Sequence, residues 1–109
     1  MKYKSTLMIA TLLLSGCVSV EFSKTGNYSV QPKGPNCDFV VYTTRPDQPF
    51  KEVGVVDLVG SAPNLPKTVS KTKEKVKEKV CASGGNGLLL WEANGFGGYT
   101  KGTVIYIQD

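Results

Sequence analysis

Three cysteines carry most of the chemistry open to this chain, and their spacing divides them into one and two. Cys17 closes Leu14-Ser15-Gly16-Cys17, behind a basic start at Lys2 and Lys4 and an apolar run from Leu7 to Leu14. That order predicts a lipobox: a signal peptide over residues 1–16, cleavage before Cys17, and acyl chains such as palmitate on the cysteine. The run is too short to span the bilayer permanently, which takes about 20 apolar residues. Two or more acyl chains on Cys17 make a durable anchor, whereas a single chain binds only marginally. Val18 follows the cysteine where an aspartate typically signals inner-membrane retention, so the expected address is the outer membrane, facing the periplasm.

Cys37 and Cys81 remain, an even pair in what should be an oxidising compartment. A disulfide between them closes a loop of about 44 residues, worth about 4 kcal/mol in the chain-entropy account. One feature opposes the pairing. On a helical wheel Cys81 stands about 140° from Val76, away from the apolar stripe.

Other reactive constellations are missing from the sequence. There is no histidine, which removes the commonest general base and metal ligand together. Asp38, Asp47, Glu52, Asp57 and Glu92 show no spacing that makes an acid–base pair. The expectation is a non-enzymatic protein with no metal and no cofactor other than acyl chains. The formal charge of +4 includes Lys2 and Lys4, which leaves 4 − 2 = +2 after cleavage. So slight an excess is no nucleic-acid footprint.

These cysteines need elements to hold them. Residues 17–36, rich in Ser, Gly, Asn and Pro, read as the lipidated cysteine and a flexible tether, with Phe22, Tyr28 and Val30 apolar enough to dock in part. Residues 37–109 read as one globular domain. Strands are predicted at Asp38–Thr43, Val53–Val59, Leu88–Trp91 and Gly102–Gln108, with Gly54 marking a bulge or close packing. A helix is predicted from about Pro66 to Ser83, with Asn64 or Leu65 as its cap and Gly84-Gly85 as its stop. Leu65, Val69, Thr72, Val76, Val80 and Ser83 form its apolar stripe. The fold class is α+β: a two-layer sandwich in β-β-α-β-β order, one helix on a four-stranded sheet.

Two surfaces are candidates for contact. Lys71, Lys75 and Lys79 lie on a basic helix that would suit anionic lipid, cell wall or an acidic partner, although a solvated face laced with Lys–Glu pairs is the favoured reading. Trp91, Phe96 and Tyr99 surround a glycine-rich hairpin loop at residues 94–98, where a ligand patch is conceivable but core packing of Trp91, with Phe96 and Tyr99 as ordinary loop residues, is the favoured reading. Gly84-Gly85-Asn86-Gly87 follows a helix rather than leading into one, so it reads as a C-cap and not a phosphate cradle.

Several stretches resemble a known family. Val41-Tyr42-Thr43, Pro49 through Val56, Ala82 through Leu90, and Tyr99 through Ile105 are similar to the folded domain of the RcsF-like small bacterial envelope lipoproteins. The likeness covers about residues 38–107. It implies the same strand–strand–helix–strand–strand order and a periplasm-facing interaction domain whose partner is another envelope protein. The tether is shorter here, and two cysteines stand in the domain where the family's stress sensor has four.

Overall fold

The computed structural model describes residues 18–108, so residues 1–16 and Cys17 lie outside the described residues. Five strands and one α-helix follow in the order β1 (Ser19–Lys24), β2 (Val40–Tyr42), β3 (Phe50–Val59), α1 (Val69–Ser83), β4 (Gly87–Ala93) and β5 (Tyr99–Ile107). They form one mixed sheet ordered β1-β3-β5-β4-β2, with α1 across one face. The α+β class and the single helix are as expected, but the sheet has five strands rather than four.

The additional strand comes from the residues read as a tether. Val18, Val20 and Phe22 alternate with Ser19, Glu21 and Ser23, and the apolar set packs against the hydrophobic core. This is the period of a half-buried strand. β1 pairs antiparallel with β3 along its whole length, from Ser19 opposite Val59 to Lys24 opposite Gly54. The Phe22 ring fits because Gly54 has no side chain. A Cβ there would come within 2.5 Å of that ring and 2.6 Å of the Ser23 carbonyl oxygen. The register of β3 also shifts between Glu52 and Gly54, so Gly54 serves both purposes expected of it.

β5 is the central strand, antiparallel to β3 and to β4, while the three-residue β2 runs parallel to β4 at the edge. Between sheet and helix lie Val56, Leu88 and Val104 facing Val76 and Val80, all with no exposed surface, closed by Phe39, Leu58, Leu65 and Leu90. Each such side chain contributes about 1.5–3 kcal/mol by leaving water.

The helix begins later than the sequence suggests. Neither Asn64 nor Leu65 caps it; Thr68 does, its hydroxyl accepting from the Lys71 amide at 3.2 Å. Residues 62–64 form a separate 3₁₀ turn, and the Pro66 carbonyl accepts from the Tyr99 amide, so this stretch is held by the hairpin instead of by helix bonds. At the other end Gly84 adopts φ 87°, a left-handed conformation open to glycine, and its amide bonds to the Cys81 carbonyl.

Candidate functional site

Cys37 and Cys81 form a disulfide with their Cα atoms 5.8 Å apart. The wheel objection is resolved by residues 31–39. That segment runs along the flank of α1: the Lys33 amide donates to the Cys81 carbonyl at 2.8 Å, and Phe39 enters the core. Cys81 is fully buried although it lies off the main stripe, because a second layer of chain covers that flank. Beside the bridge, Lys73 Nζ contacts Asp38 Oδ1 at 2.8 Å and stands 5.2 Å from the centre of the Phe39 ring. The lysine's hydrogen bond and charge hold the Asp38 carboxyl below its ordinary range. Both groups are solvent-facing, so the pair adds little stability.

The helix lysines are exposed as expected. Lys71, Lys75 and Lys79 are spaced by four and form one stripe, with Glu74 and Glu78 on the adjoining face. The helix that carries them runs from its start near the Pro66–Tyr99 bond to its C-terminus, where Cys81 and Gly84 meet Lys33 and Gln31.

The three aromatic candidates are separated. Phe96 projects at the hairpin tip, 60% exposed. The tip is shaped by Asn94, whose side-chain oxygen accepts from the Phe96 and Gly98 amides at 2.9 Å while its Nδ2 donates to the Ala62 carbonyl. Tyr99 is half-buried against the core. Trp91 is neither core nor tip. It lies on the sheet face opposite the helix, its indole N–H donating to Thr103 Oγ1 at 2.9 Å. Lys101 stands over the ring at 5.9 Å and pairs with Asp57 at 3.1 Å.

That face is the feature sequence reasoning missed. Cross-strand partners share a face, and the register sets Ser23, Val55, Thr103, Leu89 and Tyr42 in one row across all five strands. Beyond this row lies Ile105, fully buried, with the Tyr42 ring nearby over Gly87. Val55, Leu89 and Tyr42 remain half-exposed, and no helix covers them. The signal was present in β3 as adjacent Val55 and Val56, which must face opposite sides of the strand, but only pairing reveals which residues stand side by side.

Surface hollows run from about 180 to about 430 Å³, and one of about 400 Å³ lies between Pro49, Phe50, Lys51, Tyr106 and Gln108. A cavity of about 180 Å³ lies between Phe22, Tyr28, Val30, Val53 and Ser83, below the roughly 300–1,000 Å³ of ordinary ligand clefts. Another hollow, about 430 Å³ beside Tyr42, Arg45 and Asp47, is an open groove among loop residues. Among the described residues no three His, Cys, Asp or Glu side chains come together as a metal group, and no helix is long and apolar enough to cross a membrane. No family model matches the chain, and no curated protein or solved structure matches it significantly.

Proposed function

We propose that this chain is a bacterial envelope lipoprotein, acylated at Cys17 and held at the outer membrane, whose α+β domain works by protein contact in envelope sensing or maintenance. It would stand beside the RcsF-like lipoproteins that its sequence resembles. The observation that carries the contact reading is the uncovered sheet face, where Val55, Leu89, Tyr42 and the half-exposed Trp91 sit together on rigid strands. Half-exposed aromatic and aliphatic groups in one contiguous patch, rimmed by Lys101 and Asp57, suit a protein partner better than a small ligand. Reading the domain as binding rather than catalytic rests on the histidine-free sequence and its scattered carboxylates.

A second reading takes the Lys71, Lys75 and Lys79 stripe as a site for anionic cell wall or lipid, because all three ammonium groups are free to face solvent. Photo-crosslinkers placed at Leu89 and at Lys75 in cells separate the two. A discrete envelope protein captured from position 89 and not from 75 supports the contact reading. Capture confined to position 75, with binding to sacculi that falls steeply as salt rises, supports the second. The anchor is tested by Cys17→Ala, which should release the protein from membranes or leave a slower-migrating precursor. Unchanged mobility and attachment would overturn it.

A further inference from the structure

If Cys17 bears the anchor, as the reading above requires, the position of β1 decides how the domain meets the membrane. Ser19 is already in the sheet, opposite Val59. Two residues of chain reach about 7 Å at most, which is about the depth of the headgroup layer on one side of a bilayer. Ser19 therefore has no room to stand clear of the lipid surface.

The same end of the sheet carries two other segments. Val59 ends β3, and residues 60–68 follow it; Ala93 pairs with Tyr99, so the β4–β5 tip at 94–98 lies there too. Asn94 and Tyr99 bond these segments together through the Ala62 and Pro66 carbonyls. The chain has nine acidic residues, and none falls in 18–20, 59–68 or 93–99; Lys67 is the one charged side chain in all three. Val59 is 47% and Phe96 60% exposed, with Pro63 exposed between them. The opposite end is different in kind, with Lys33 over Tyr106, Arg45 over Phe50, and Lys51 opposite Tyr106.

We propose that this end is a lipid-docking surface. Phe96, Val59 and Pro63 enter the headgroup layer beside the Cys17 acyl chains, with Lys67 at the phosphates. A weakly charged end with Phe96, Val59 and Pro63 exposed suits an interfacial contact, and Glu21, Asp57 and Glu92 lie one row behind it. Docked in this way, the domain stands upright: α1 runs away from the membrane, the lysine stripe meets lipid only at its Lys71 end, and the open sheet face stays free for a partner.

The test uses the full acylated protein in vesicles of phosphatidylethanolamine and phosphatidylglycerol. Trp91 is the sole tryptophan, so Trp91→Phe with Phe96→Trp places a lone indole at the tip, and Trp91→Phe with Phe50→Trp places one at the far end. Phe96 is mostly exposed, so its replacement leaves the core intact. Vesicle binding should blue-shift the emission from position 96, and lipids brominated high on the acyl chain should quench it, while position 50 stays unchanged in both. Acylated, vesicle-bound protein in which position 96 is no more quenched than position 50 overturns the docking surface alone. An intact mass without acyl chains overturns the anchor reading, and the docking surface with it.

Discussion

At the scale of single residues, the sulfur pair stabilises this domain most through one covalent bond. It links positions 44 apart, and closing such a loop in the unfolded chain is worth about 4 kcal/mol. Small domains hold only about 5–15 kcal/mol in total, so the bridge is a large share. Cys37→Ala with Cys81→Ala should therefore lose about 4 kcal/mol in urea unfolding. The native protein should show a comparable loss when unfolded under reducing conditions. A loss below about 1 kcal/mol would show that the 31–39 segment holds its place on α1 by packing alone. The pairing could be read from cysteine arithmetic. The burial of Cys81 could not, because a helical wheel knows one helix and nothing of the chain laid across it.

Among the elements, β1 and α1 show where local reasoning succeeds and where it stops. The helix stop at Gly84 was legible because a left-handed cap favours glycine locally. The helix start was misplaced by several residues because Pro66 is an equally good first-turn residue, and only the hairpin's claim on its carbonyl excludes it. β1 went unrecognised because Ser, Thr, Gly and Asn around it outweigh three apolar side chains. Its partner β3 supplies what propensity lacks, through Gly54 in particular. Gly54→Ala should push Phe22 and the Ser23 carbonyl outward and cost about 1–3 kcal/mol. Chemical denaturation measures the cost, and amide exchange should show the loosening in 19–24 before the rest of the sheet. A neutral substitution would mean that β1 slides freely over β3.

For the whole molecule, the question is whether residues 18–24 are leash or structure. A flexible stretch over 18–36 would hold the domain about 24 Å from its anchor as a coil, against the two residues that β1 leaves. Deleting 18–24 separates these cases. Loss of a leash leaves stability unchanged. Loss of β1 uncovers Val20 and Phe22 contacts and the Gly54–Val59 edge of β3, costing about 3 kcal/mol or more and exposing a strand edge that promotes aggregation. The second outcome is expected, read as a lowered melting temperature and concentration-dependent self-association.

The amino-acid sequence alone determined the α+β class, the single helix and its stop, four of the strands, the hairpin loop and the pairing of Cys37 with Cys81. Each depends on periodicity, turn chemistry or residue type, which act over a few neighbouring positions. Tertiary structure alone decided that β1 joins the sheet, that Cys81 is buried, that Trp91, Phe96 and Tyr99 part company, and that Val55, Leu89 and Tyr42 meet. Those outcomes depend on strand register and on which layer covers which, set by contacts between residues dozens of positions apart. No local pattern encodes such neighbours.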